Sequence, residues 1–161
     1  MKFFTAIIVA TVFSVTPSVA NEGELPVDPY EIKDENAGAT PVNNDKLFDA
    51  FNGEAGIERI VDHFIAGLKT DPRVEKIFIA SDFVRLRRTL IEQFCYLAGG
   101  PCKYTGRDMA SVHADHGITT REFGAAVEIL QDAMDKEGVP FHVQNKFLAK
   151  LAPMHREIVT R

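Results

Sequence analysis

The sequence predicts an all-α protein with one folded domain, and three observations carry that prediction. Apolar residues recur at i, i+3, i+4 and i+7 through the longer stretches, the spacing of one buried face on a helix. No stretch alternates apolar and polar residues convincingly enough to read as a strand. Glycines, prolines and capping residues interrupt the chain where each apolar run stops. A chain of 161 residues is long enough for one domain around one core.

Taken in order, Phe48 and Phe51 mark a short first helix, which Asn52-Gly53 separates from the next. Ile57, Ile60, Val61, Phe64, Ile65 and Leu68 then share one helical face. Asp71-Pro72 ends that helix, because a residue before proline avoids the helical region. Val74, Ile77 and Phe78 suggest one further helical turn. Phe83, Leu86, Leu90, Phe94 and Leu97 mark a helix capped by Ser81 or Asp82 and stopped by Gly99-Gly100-Pro101. A loop and a short helix holding His113 follow. Thr119-x-x-Glu122 is a capping box. The helix it opens buries Phe123, Ala126, Val127, Leu130 and Met134, and ends at Gly138 and Pro140. Val143, Phe147, Leu151, Met154 and Ile158 carry the last helix, with a kink expected at Pro153.

Two segments precede the domain, which spans 44–161. Residues 1–20 open with Lys2, continue through an apolar run at 3–13, and end in the small residues Ser18-Val19-Ala20. This is the pattern of a secretory signal peptide, and the run is short for a membrane span. The protein is therefore expected to be exported, and periplasmic in a Gram-negative source. It would touch a membrane only through an uncleaved anchor. Residues 21–43 hold six acids, one lysine and three prolines, and read as a flexible acidic leader. Local packing of Asp28-Pro29-Tyr30 is the less favoured alternative.

Lys and Arg total 18 against 23 Asp and Glu, for a net charge of −5, and removal of Lys2 makes the chain more acidic still. That balance argues against a nucleic-acid partner. The one basic cluster, Arg85-Leu86-Arg87-Arg88, reads as a solvated helix face or a contact for acidic ligand groups. The only cysteines are Cys95 and Cys102. In an exported chain they can pair across the Gly-Gly-Pro turn between them, or stand as two unrelated small apolar residues. Composition leaves both readings open. Cys-x-x-Cys-His is absent, so covalent attachment of a c-type haem is not expected.

His113 is the candidate with the most chemistry. Met109, Val112 and His113 sit at i, i+3 and i+4, so they share a face if the segment is helical. An imidazole on an apolar face is either a satisfied buried histidine or a ligand to something apolar, such as haem iron. Gly99-Gly100-Pro101, Tyr104-Thr105-Gly106, Met109, His113, Gly117-Ile118-Thr119 and Phe123 together resemble the group 1 truncated haemoglobins over residues 45–159. One-face helices pack as a bundle or as a globin-like sandwich. The resemblance points to the truncated globin-like two-over-two helical sandwich.

The resemblance also implies a site. His113 matches the proximal ligand to haem b iron, and Phe78 matches the phenylalanine packed against the porphyrin. Phe64, Phe83, Leu86, Leu90, Met109, Val112, Ile118, Phe123 and Val127 match wall positions, where the plain alternative for each is ordinary core. Arg88, Arg107, His116 and Tyr104 are candidate propionate partners. On the distal side this chain departs from the family. Ile65 stands where many members have tyrosine, and Leu86 and Leu90 stand where a glutamine is often offered. His63, Gln93 and Tyr96 are the polar residues nearby in sequence, and His63 should point elsewhere.

The implied function is reversible binding of oxygen, nitric oxide or carbon monoxide at iron held by His113. It extends to nitric-oxide dioxygenation with an unknown reductase. The alternatives are a haem redox protein, by electron transfer or peroxidase-like chemistry, and a periplasmic helical interaction module without haem.

Overall fold

The computed structural model describes residues 22–44 and 46–161. The expected signal peptide lies outside the described residues. The described residues form α1 (Lys46–Ala50), α2 (Gly53–Thr70), α3 (Phe83–Leu97), α4 (Met109–His113), α5 (Thr120–Lys136), α6 (Phe141–Leu151) and α7 (His155–Ile158). Single 3-10 turns occur at Asp34–Ala37, Glu75–Phe78 and Ala152–Met154. No strand occurs among the described residues.

Local chemistry sets these boundaries. Asp82 caps α3, its carboxylate accepting from the Val84 and Arg85 amides. Thr119 and Glu122 close the capping box of α5 reciprocally. Past the end of α5, Gly138 turns left-handed at φ 68°, and the Val139 amide returns to the Met134 carbonyl. The kink expected at Pro153 is a break: α6 stops at Leu151, the chain makes a 3-10 turn through Pro153, and α7 starts afresh.

Helix α2 packs on both α3 and α5, and α5 packs on α6. The two-over-two arrangement is built from these four helices. Ile57, Ile60, Val61 and Leu68 of α2 are all at most 2% exposed. Gly67 allows the close approach of α5, since a Cβ there would meet Ile129 Cγ2 at 2.3 Å. Phe147 of α6 takes Phe51 and Phe94 edge-on at 5.1 and 5.0 Å, tying the turn after α1, α3 and α6 together. Two helices carry a double face. In α5, Ala125, Ile129 and Ala133 are buried core, whereas Phe123, Ala126 and Val127 are half-buried and line a cavity. In α3, Cys95 and Leu97 are buried core, while Leu86 and Leu90 line the same cavity.

Cys95 and Cys102 are bridged, with Cα atoms 5.7 Å apart. Gly99 makes the turn between them at φ 83°, and Gly100 lies so close to Phe48 and Cys95 that a Cβ would clash with both. The bond pins the end of α3 to the loop that leads into α4.

Residues 22–44 differ from the expected flexible leader. They lie against the domain, with Ala37 fully buried and the Val42 amide donating to the Leu97 carbonyl at 3.1 Å. Low apolar content conceals this docking, because most anchors are polar. The Gln93 amide donates to the Ala37 carbonyl, Asn36 donates to the Gly106 carbonyl, and Lys150 donates to the Thr40 carbonyl.

The disulfide closes a short loop, so its loss should destabilise the chain by about 2–3 kcal/mol through the unfolded state. Denaturant midpoints of the oxidised chain and the reduced, alkylated chain measure this. Equal midpoints would show that the bridge contributes no net stability.

Candidate functional site

Arg85, Leu86, Thr89, Leu90 and Gln93 line one side of a cavity of about 530 Å³. They form one continuous face of α3. Phe64 and Leu68 of α2 and Phe78 from the turn before α3 add apolar wall. Met109, Val112 and His113 of α4 contribute, as do Ile118, Phe123, Ala126, Val127 and Leu130 on and before α5. The lining is predominantly apolar with a few polar groups at fixed places, the usual constitution of a cofactor pocket.

His113 sits on the single turn of α4. Asp108 caps that turn, accepting from the Ser111 amide at 2.9 Å and the Ser111 hydroxyl at 2.7 Å. His113 Nδ1 lies 2.7 Å from the Met109 carbonyl oxygen. A carbonyl only accepts, so the proton is on Nδ1 and the lone pair is on Nε2. No described residue hydrogen-bonds Nε2. Burial holds the imidazole below its ordinary pKa, against a smaller upward pull from the Met109 carbonyl, and nearby His116 lowers it further. At neutral pH the ring is therefore uncharged, with a free nitrogen at a cavity wall, as metal ligation requires.

The polar neighbours are largely committed elsewhere. The Thr89 hydroxyl donates to the Arg85 carbonyl, and the Tyr104 hydroxyl to the Arg107 carbonyl at 2.9 Å. Burial also raises the Tyr104 phenol. Gln93 Nε2 is 2.9 Å from the Ala37 carbonyl and 3.4 Å from Met109 Sδ. His63 turns outward to Glu137 at 3.2 Å, and Tyr96 does not line the cavity. None of the three nearby polar residues therefore offers a free donor to the Leu86 and Leu90 wall.

Two buried nitrogens lack a hydrogen-bond acceptor among the described residues: Nε of Arg85 and Nε of Arg107. Both residues line the cavity. Arg88, in contrast, is outside it, paired with Glu24 and Glu92 and donating to the Thr105 hydroxyl.

Most of the residues singled out by sequence meet at this cavity: Phe64, Phe78, Leu86, Leu90, Tyr104, Met109, His113, His116, Ile118, Phe123 and Val127. Two lie elsewhere. Ile65 is buried in the core beside the cavity face, because it follows Phe64 by 100° around α2. Phe83, at the start of α3, lies under the Lys69 ammonium, 4.0 Å from its ring centroid. Sequence reasoning missed Val27 and Tyr30 as lining residues, and named Arg85 only within a basic cluster read as a solvated face or a contact for acidic ligand groups. Arg85 had a usable signal, since it shares a face with Thr89 and adjoins Leu86. The leader residues had none.

The bacterial-like globin family model matches residues 46–160. A group 1 truncated haemoglobin, GlbN, of Mycolicibacterium paratuberculosis is 32% identical over 114 residues, covering 71% of this chain and 84% of the relative. The chain belongs to the bacterial-like globins, in the group 1 truncated haemoglobin branch. A ferric truncated haemoglobin of Tetrahymena pyriformis shares its fold, with a TM-score of 0.68 at 22% identity over 71% of this chain and 98% of that one. The 2/2 haemoglobin of Synechococcus, solved in the cyanomet state with covalently attached haem, gives a TM-score of 0.66 at 21% identity, with the same coverage of both chains. In this truncated globin the match begins after the docked leader, so residues 22–44 lie outside it.

The lowered His113 pKa has a pH consequence for the haem-free globin. The unfolded chain takes up the proton first, so acidification through and below about pH 6.5 weakens folding. Between pH 7.5 and 5.5, the denaturant midpoint of wild type should fall more than that of His113→Gln. Parallel falls would show that His113 titrates alike in both states.

Proposed function

We propose that this truncated globin binds haem b through His113 and uses it for reversible binding of small diatomic gases, in which oxygen is held weakly. The observation that carries the reading is the His113 imidazole. Its Nδ1 is committed to the Met109 carbonyl and its Nε2 is free at the wall of an apolar cavity. The fit extends to the periphery of the group. Arg107 presents a buried Nε with no hydrogen-bond acceptor, Arg85 Nε has only the Asp82 carboxylate at 3.5 Å, and a propionate carboxylate supplies closer acceptors. When bound, haem supplies an iron centre that takes up oxygen, nitric oxide or carbon monoxide.

The chain's own residues do the rest. His113 ligates and, through Nδ1, keeps the ring orientation fixed. Phe78, Phe123 and Val127 pack the macrocycle and exclude water. Leu86 and Leu90 line the cavity and would offer a bound gas no hydrogen-bond donor. Nitric-oxide dioxygenation needs oxygen retained until nitric oxide arrives, and peroxidase chemistry needs a placed acid/base group. The apolar wall favours plain gas binding over both. The signal-like residues 1–20 and the disulfide support a location in an oxidising compartment outside the cytoplasm.

Chain recovered from the exported fraction should begin near Asn21 and show a Soret band. His113→Gly should lose that band and regain it with added imidazole. Unchanged haem affinity and spectrum in His113→Gly would refute the assignment.

Leu90→Gln introduces a donor on the α3 wall. It should slow oxygen dissociation from the ferrous protein about tenfold, the value of one net hydrogen bond near 1.4 kcal/mol. Carbon monoxide dissociation, which depends less on such a bond, should change little. An unaltered oxygen rate together with slow wild-type release would mean that another donor already reaches the gas.

A further inference from the structure

The segment Glu24–Tyr30 crosses the rim of the cavity and is fastened at both ends. At its start, the Glu24 side chain is fully enclosed between Arg88, at 3.1 Å from Nη2, and Arg85, at 3.4 Å from Nη1. The next residue, Leu25, donates its amide to Asp82 at 2.8 Å and accepts from Arg85 through its carbonyl. At its end, Arg107 donates to the Asp28 carbonyl at 2.8 Å and stacks over the Tyr30 ring at 5.2 Å. The Tyr30 hydroxyl donates to the Thr105 carbonyl, also at 2.8 Å. Between the two fastenings, Val27 and Tyr30 contribute to the cavity lining.

We propose that residues 24–30 are a strap that completes the haem site, slowing haem release and gas access, with Glu24 as its latch. The proposal rests on the haem reading given above and adds to it a wall that the globin match at 46–160 does not contain. The two arginines with an unaccepted Nε are the same two that hold the strap. Strap and propionate-bearing edge would therefore share one cationic rim, and Glu24 holds Arg85 in place there. Pro26 and Pro29 restrict the unfolded strap, so docking forfeits less backbone freedom than in an ordinary seven-residue segment. Latches at both ends with a stiff middle suit an element that lifts as a unit.

The test uses the full-length mature chain loaded with haem and mixed with excess apomyoglobin as haem acceptor. Glu24→Lys places a third cation between Arg85 and Arg88, and Tyr30→Ala removes the other fastening. Each should release haem about tenfold faster than wild type. Glu24→Lys deprives Arg85 and Arg88 of the enclosed carboxylate they share. Tyr30→Ala loses the hydrogen bond to the Thr105 carbonyl and the ring under Arg107. Carbon monoxide association after flash photolysis should quicken several-fold. The Soret band and helical circular dichroism should be retained. Glu31→Gln, just past the strap, exposed and with its side chain paired among the described residues only with Lys33, should behave as wild type.

Hydrogen exchange on the haem-free chain supplies an independent readout. The Leu25 amide should be protected in wild type and unprotected in Glu24→Lys. Unchanged haem transfer and gas association in both strap variants would overturn the proposal, as would an unprotected Leu25 amide in wild type. A wild-type chain with no Soret band would overturn the haem reading itself, an outcome distinct from a strap that docks but gates nothing.

Discussion

The hydrogen bond from His113 Nδ1 to the Met109 carbonyl is the contact around which the site is organised. It fixes the tautomer and so leaves Nε2 available. Yet it spans the whole of α4, a five-residue turn too short to be stable alone. The surrounding structure has to hold that turn. Asp108 caps it, and Met109 is buried at 5% exposure against Gln93 and the leader. Gly38 lets the leader come close, since a Cβ there would sit 2.8 Å from Met109 Cγ. On the far side α7 packs on α4, and the Thr160 amide reaches back to the Ile118 carbonyl at 2.9 Å. The disulfide restrains the preceding loop at its other end. The small helix that carries His113 is thus clamped by the leader on one side and by α7 on another.

The helical framework was legible in the sequence because it rests on repeating patterns. Ile57, Ile60, Val61 and Leu68 repeat at helical spacing, and Asp82 and Thr119 carry their own capping chemistry. Where a helix has two buried faces, periodicity cannot divide them. Phe64 and Ile65 are both 8% exposed, but only Phe64 reaches the cavity. Ile65 shares its register with Val61 in the core. Gln93 shows a related limit. Its place on the α3 face is readable, but the partner that consumes its amide is Ala37, 56 residues away. Docking of the leader was illegible for the same reason, since its anchors are single polar contacts to distant residues and leave no period to detect.

The basic cluster on α3 shows how one short motif is divided by geometry. Arg87 points across to Asp62 and Glu58 of α2 in a pair more than 40% exposed at both ends, which contributes little to stability. Arg88 is enclosed by Glu24, Glu92 and Thr105, where its charge is matched by acids from the leader and its own helix. Arg85 alone turns to the cavity. Of three arginines within four positions, Arg87 therefore serves a solvent-facing pair, Arg88 a leader anchor, and Arg85 both the leader and the cavity rim, and the angle around the helix separates Arg87 from the other two.

That separation gives the cavity a polarity gradient. Around Leu86, Leu90 and Phe78 the walls are apolar, and the nearby hydroxyl and amide donors are spent on backbone carbonyls. At the rim held by the leader, Arg85 and Arg107 keep buried Nε–H groups that make no hydrogen bond, that of Arg85 lying 3.5 Å from the Asp82 carboxylate. An amphiphilic planar ligand with carboxylates on one edge meets opposite preferences at the two places. Inserting its carboxylates toward the leucines would strip them of water without a partner, a far larger penalty than any gain from apolar contact at the rim. On the haem reading proposed above, the gradient that would leave a bound gas without a hydrogen bond would therefore also set which edge of the cofactor faces out.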